Sequence, residues 1–211
     1  MAPLKTELPG DKLAKIVSAV FHPVFMPLYG LIIIFSAPTI LYYIPFGVKK
    51  ILFTIIILNN VILPLSMLPY FRYRNIISSW SVENRKERIV PLITTSFFYS
   101  VTLYIIYRFH IPVFIKAFTI SSVFLAIGIT LISLKYKISI HSAGAGSLTA
   151  LVLSLSFEMQ TLLLWFLIPV ILFSGLVMTA RLWLKAHSQD EVYAGFLLGF
   201  FITGMFLLLF R

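Results

Sequence analysis

Apolar runs and short polar segments alternate along the whole chain. The runs fall at about 24–44, 51–69, 92–107, 111–134, 142–157, 161–180 and 192–210, and they are 16 to 24 residues long. Crossing about 30 Å of hydrocarbon as a helix takes roughly 20 residues. None of the runs shows the apolar/polar alternation over about ten residues that a membrane β-strand requires. The pattern therefore predicts an all-α, polytopic transmembrane helix bundle. Seven spans are expected, with six as the alternative because the third and fifth runs lie near the minimum for a full crossing. Pro23, Pro27, Pro38 and Pro45 bracket and interrupt the first run, Pro64 and Pro69 sit late in the second, and Pro112 separates the third from the fourth. Each removes a backbone donor and crowds the preceding turn, so each marks a kink or an end. No internal repeat, linker or low-complexity tract divides residues 1–211, and a single domain is expected.

Composition excludes a water-soluble globule. The chain is 60% hydrophobic and 11% charged, with a mean hydropathy of +1.00, whereas ordinary soluble domains carry about 25% charged residues. The formal charge of +10 falls between the apolar runs, with no basic tract interleaved with aromatics. Nucleic acid is thus not an expected partner. The absence of cysteine removes disulfides, thiolate nucleophiles and Cys-based metal sites. The N-terminal MAPLKTELPGDKLAK lacks the layout of a signal peptide, so the first span is expected to stay in the mature chain.

Polar chemistry is concentrated on one side. The segments after the second, fourth and sixth spans are separated by even numbers of crossings, which puts residues 71–91, 135–141 and 181–192 at one membrane face. That face, with the N-terminus, carries 12 of the 17 Lys and Arg; without five that a site would itself use, the balance is 7 against 5. The positive-inside bias therefore leaves orientation open.

Four groups of residues on this face are suited to chemistry. In HSQDEV, Glu191 stands four residues after His187, so its carboxylate can fix one ring nitrogen and leave the other to attack; the same segment also reads as a solvated loop with a capping carboxylate. Arg181 is six residues before His187. A continuous helix would turn them roughly 240° apart, so meeting one ligand requires a helix break, and snorkelling to the headgroups is the other use of such an Arg. In KISIHSAGAG, His141 opens a span whose first turns carry Gly144 and Gly146. Exposed backbone N–H groups there, with Ser139 and Lys137, could cradle an anion, or Ser139 could simply cap a packed helix. Finally, Arg85, Lys86 and Arg88 precede Pro91, as phosphate clamps or as headgroup anchors. Together these supply the groups needed for phosphoryl transfer without a metal.

The spacing of these residues resembles the type 2 phosphatidic acid phosphatase superfamily, which is related to the vanadium haloperoxidases. Arg181, His187, Glu191 and Val192 are similar to its third signature, Ile138 to His141 to its second, and Arg88 with Pro91 to the end of its first. The chain departs from that pattern at Ala180, Ile138, Ile140, Glu191 and the Arg88–Pro91 junction, and Ser81 stands where the family has a Lys. The resemblance implies an inner-membrane, multi-pass lipid phosphatase. By the same resemblance His187 is the nucleophile, Glu191 its orienting carboxylate and His141 the acid and then the base. Arg88, Arg181 and Ser139, with Lys86 or Arg85, would hold phosphate oxygens. No cofactor or metal is expected, and the expected partners are a membrane lipid phosphate and the bilayer. Rival readings are a non-catalytic lipid-phosphate-binding protein of the same fold, a transporter suggested by Asn59 and Asn60, and a haem protein ligated by His141 and His187.

Overall fold

Prolines and capping side chains decide where the helices begin and end. The structure, a computed structural model, describes residues 9–80 and 84–210. Its first helix, α1 (Pro9–Val20), precedes the first apolar run and is amphipathic, with Ala14 and Ser18 turned inward and Lys12 and Lys15 exposed. The chain then makes an elbow. His22 is extended and caps a 3-10 turn at Pro23–Phe25, after which α2 (Met26–Ser36) runs with Pro27 in its first turn. Pro38 biases Ala37 toward the extended conformation it adopts, so α2 ends at Ser36, and residues 40–43 form a separate 3-10 turn. The first span is therefore Pro9–Ser36, which corrects the expected 24–44. Hydropathy alone missed α1 because its polar face dilutes the apolar signal.

The second span joins α3 (Phe46–Ile56) to α4 (Leu63–Tyr73) through a π-helical segment, Ile57–Ile62. Pro64 has no N–H for the carbonyl four residues back and its ring crowds that turn. Widening to a π turn just before the proline accommodates both. The remaining spans are α5 (Ile89–Tyr107), α6 (Val113–Lys135), α7 (Ile140–Glu158), α8 (Leu164–Trp183) and α9 (Gln189–Leu209). The two short runs gain length at their ends, Ile89, Val90 and Pro91 for α5 and Ile140, His141 and Glu158 for α7, so each helix reaches 19 residues. Seven helical segments are long and apolar enough to cross a membrane, and no strand occurs among the described residues. The protein is an all-α, multi-pass membrane protein.

The centre of the bundle is α7, which α2, α8 and α9 surround. Its Ser-Ala-Gly-Ala-Gly-Ser stretch, residues 142–147, is buried throughout and leaves room for neighbouring backbones. Helix α9 uses that room: a Cβ at Gly199 would fall on the Ala143 carbonyl, and one at Gly146 on the Phe196 carbonyl. Ser147 and Thr203 complete the contact with a 2.7 Å hydrogen bond between hydroxyls. This close pair places the start of α7 beside the start of α9.

Candidate functional site

Helix α8 ends in a Schellman turn. Lys185 adopts φ 51°, the Lys185 N–H donates to the Leu182 carbonyl at 2.9 Å, and the Ala186 N–H donates to Arg181 at 3.2 Å. The chain reverses there, which is the helix break that a shared ligand for Arg181 and His187 requires. Ser188 then caps α9 in a capping box, its hydroxyl accepting from the Glu191 N–H and its own N–H donating to the Glu191 carboxylate. The same Oε2 lies 2.7 Å from Nδ1 of His187. Glu191 is thus both the capping carboxylate and the orienting one. With Nδ1 bonded to Glu191, Nε2 is the nitrogen of His187 left for other chemistry.

The three polar loops on this face are tied to one another. Arg88 donates to the Ile138 carbonyl at 3.2 Å, Lys137 to Ala186 at 2.7 Å, and the Ser139 N–H to Glu191 at 3.1 Å. The loop after α4 is itself braced. Arg72 donates to the carbonyls of Ile77 and Ser78, and Glu87 accepts from the Ser78 backbone N–H and hydroxyl. These hydrogen bonds hold the Glu87 carboxyl below its ordinary range.

Between the loops and the helices lies a cavity of about 210 Å³. Its charged end is walled by His22, Arg88, His141, Arg181 and His187. From there an apolar arm continues between α4, α5 and α6, past Leu68, Leu92, Leu125 and Ile129 to Tyr99 and Phe118. Ile129 and Phe118 are eleven residues apart on α6, so the arm is about 16 Å long at 1.5 Å per residue.

Burial pushes the His187 imidazole down to about 4. Glu191 raises it, and the positive charges of Arg181, Arg88 and Lys137 lower it further. The 2.7 Å carboxylate contact would favour the imidazolium by itself, but burial and three cations outweigh it. The ring is therefore neutral at physiological pH. His141 donates from Nε2 to the Ser18 carbonyl at 3.1 Å, the only role open to a ring nitrogen facing a carbonyl. That leaves Nδ1 for substrate or water. Arg181 reaches the Ser18 hydroxyl at 3.5 Å, so α1 supports two of the site's side chains.

The structure thus brings His187, Glu191, His141, Arg88 and Arg181 together. It does not bring Ser139, Arg85 or Lys86 to the cavity wall. Ser139 is fully buried, and its hydroxyl accepts from the Ser142 hydroxyl at 2.9 Å and caps α7. Arg85 donates to the Leu134 carbonyl at 2.6 Å on the outside of the bundle, and Lys86 is exposed. Ser81, at the position of the family's Lys, lies outside the described residues. Asn60 is occupied by a hydrogen bond from Thr102 and is not on the cavity wall. Sequence reasoning missed His22, whose one signal was a His-Pro pair inside an otherwise apolar run. Although three histidines face the cavity, no group of three His, Asp or Glu side chains among the described residues is arranged to hold a metal ion. The site and fold define a membrane helix bundle with a cation- and histidine-lined cavity open to an apolar arm. No family model, curated protein or solved structure matches the chain.

Proposed function

We propose that the protein is an integral membrane phosphatase that hydrolyses a lipid phosphate or diphosphate through a phosphohistidine at His187. The observation that carries this reading is the His187–Glu191 pair, with Nδ1 held at 2.7 Å and the ring on a cavity wall that also holds two guanidinium side chains. A neutral, oriented imidazole is a nucleophile at phosphorus. Arg88 and Arg181 are placed to neutralise the oxygens as charge builds in the transition state.

In the first step Nε2 of His187 attacks phosphorus, the bond to the leaving oxygen breaks, and its electron pair stays with that oxygen, which in a monoester takes its proton from water. Glu191 stabilises the positive charge that develops on the ring. In the second step water attacks the phosphohistidine, the P–N bond breaks back to His187, and Nδ1 of His141 takes the proton from water. The apolar arm supports a lipid rather than a soluble ester, because its length matches a hydrocarbon chain emerging from the charged end. Localisation to a cytoplasmic membrane belongs to the same proposal.

Rapid acid-free quench of purified protein with 32P-labelled lipid phosphate tests the reading. A base-stable, acid-labile label on the wild type, absent from His187→Ala, is expected. Phosphate release by His187→Ala above about a tenth of wild type would overturn the nucleophile, since its loss removes several kcal/mol at about 1.4 kcal/mol per tenfold. A second reading, a lipid-phosphate-binding protein without turnover, is favoured by Glu191 lying within a capping box, an independent structural reason for that carboxylate. Vanadate-displaceable binding without any phosphate release would establish it.

A further inference from the structure

A helix leaves its last four carbonyls without partners of its own, and at the end of α1 each of the four is taken up differently. The Val17 carbonyl accepts from the Phe21 N–H at 2.9 Å, the Ala19 carbonyl from the His22 N–H at 3.3 Å and the Val20 carbonyl from the Tyr29 hydroxyl at 2.7 Å. The His22 N–H, which would continue the helix by bonding to Ser18, has turned to Ala19 as the chain enters the elbow. That leaves the Ser18 carbonyl. It faces Nε2 of His141 at 3.1 Å, across 123 residues of chain. Ser18 is buried, so its carbonyl and the ring N–H satisfy each other where water does not.

Contacts along α8 hold α1 in that place. The Trp183 indole N–H donates to the Asp11 carboxylate at 3.0 Å, and a Cβ at Gly10 would fall 2.7 Å from the same indole. Phe21, just beyond α1, has its ring centroid 5.0 Å from that of Phe173. Helix α1 therefore lies antiparallel along α8, with Ala14 and Ser18 facing inward one turn apart. It is fastened to the same helix end from which Arg181 and the turn to His187 arise.

The contact at Ser18 restricts what His141 can do. With its proton on Nε2, the neutral ring has only an acceptor at Nδ1. It cannot give a proton when the phosphohistidine forms, and it can take one from water when that intermediate breaks down. Taking it makes an imidazolium, whose Nε2–H becomes a charge-assisted donor to Ser18. A carbonyl at a helix C-terminus also lies at the negative end of the helix dipole, which favours a cation there. Ser18 thus stands to His141 as Glu191 stands to His187. Resting on the phosphatase reading above, we propose that Ser18 is the positioning residue of the general base, and that docking of α1 governs breakdown of the phosphohistidine but not its formation.

The step balances without another reagent. The water oxygen bonds to phosphorus, and the P–N bond returns its electron pair to Nε2 of His187. The proton from water goes to Nδ1 of His141 and from there to solvent.

The test follows 32P label on His187 of the full-length protein in detergent micelles. The substrate is labelled dodecyl phosphate or terminally labelled farnesyl diphosphate, whichever labels wild type faster. Rapid quench reads labelling, a chase of unlabelled substrate reads label loss, and imidazole 15N NMR reads the tautomer of His141, assigned by its absence in His141→Ala. Wild type is expected to carry the proton on Nε2. His141→Ala should slow label loss about a hundredfold, with labelling within about threefold. Ser18→Leu and Gly10→Leu overpack the docked face of α1 at two places, about 12 Å apart at 1.5 Å per residue. Both should lose the tautomer signal and slow label loss at least about tenfold while still labelling. The second remains informative if the first does not fold. Ser18→Ala removes only the hydroxyl 3.5 Å from Arg181, so it should weaken substrate binding about two- to threefold and keep both the tautomer and the rate of label loss. A proton on Nδ1 in wild type, equal slowing of labelling and label loss in the Leu variants, or label loss that holds when the tautomer signal is gone would each overturn the role of Ser18 and α1. Tautomer and label loss both unchanged in the two Leu variants would do the same. All of these leave the phosphatase reading intact, whereas no label on wild type from either substrate would overturn both.

Discussion

At the scale of single residues, Glu191 carries two jobs that a substitution can separate. The capping box accepts Gln as readily as Glu at this position, because either side chain can bond the Ser188 N–H. Only the carboxylate can stabilise a positive His187. Glu191→Gln is therefore expected to reduce kcat at least about tenfold with KM nearly unchanged and with thermal stability in detergent preserved. A parallel loss of melting temperature would mean that the carboxylate matters only as a cap. The His187 ring gives a second expectation. Its proton affinity is lowered to about 4 in the folded protein, against about 6.5 when unfolded. Between those pH values the unfolded chain binds a proton that the native ring refuses, so this group makes stability fall as pH drops from about 6.5 to 4 and contributes no such loss at neutral pH. Imidazole NMR should show one ring, identified by its disappearance in His187→Gln, titrating near pH 4; a midpoint near 6.5 would contradict the burial and cation environment described.

At the scale of elements, the site depends on how α7, α8 and α9 meet. Gly199 has no space for a side chain because the Ala143 carbonyl occupies it. Gly199→Val forces the two helices apart and is expected to cost at least about 2 kcal/mol, read as unfolding at lower denaturant, together with loss of activity since α7 carries His141 and α9 carries Glu191. The turn after α8 predicts the opposite sign. Lys185 holds φ 51°, a conformation that is strained for a side chain and free for glycine. Lys185→Gly is expected to preserve the Schellman turn and to raise stability by about 0.5–1 kcal/mol, with the His187–Glu191 geometry unchanged. A loss of stability would show that the Lys side chain contributes more than its backbone costs.

At the scale of the whole molecule, the charged end and the apolar arm form one continuous cavity only because the bundle has closed. The elbow after α1 and the starts or ends of α5, α7, α8 and α9 contribute to its charged end, and α4 and α6 join α5 along its arm. An extended chain of C–C bonds about 1.5 Å long needs about a dozen carbons to span 16 Å. For single-chain alkyl phosphates, kcat/KM is expected to rise with chain length up to about that number and then level off, by up to about 0.8 kcal/mol or fourfold per added CH₂. Leu125→Trp, which would fill the arm, should move the plateau to shorter chains; a chain-length dependence identical to wild type would place the tail elsewhere. Activity is also expected to persist in excess EDTA and to be inhibited by vanadate, because two guanidinium groups supply the charge at phosphorus. Loss in chelator that Mg²⁺ restores would overturn that assignment.

The run lengths and the missing charge determined an all-α membrane bundle directly, because a chain in hydrocarbon must satisfy its backbone within each helix and so needs about 20 apolar residues per span. The parity of the spans likewise put Arg88, His141, Arg181, His187 and Glu191 at one face. Their meeting was legible to that extent, as was the helix break between Arg181 and His187. Linear pattern did not reveal α1, since its apolar and polar positions average out in hydropathy, nor the early end of α2 at Ser36, which turns on Pro38. Ser139 had the sequence of a phosphate ligand and the place of a helix cap, and only packing decided between them. His22, Ser18 and the arm toward Tyr99 were invisible for a common reason. Ser18 reaches His141 and Arg181 across 123 and 163 residues of chain, and His22 and the arm likewise meet the site through helices packed side by side, an arrangement that no local periodicity encodes.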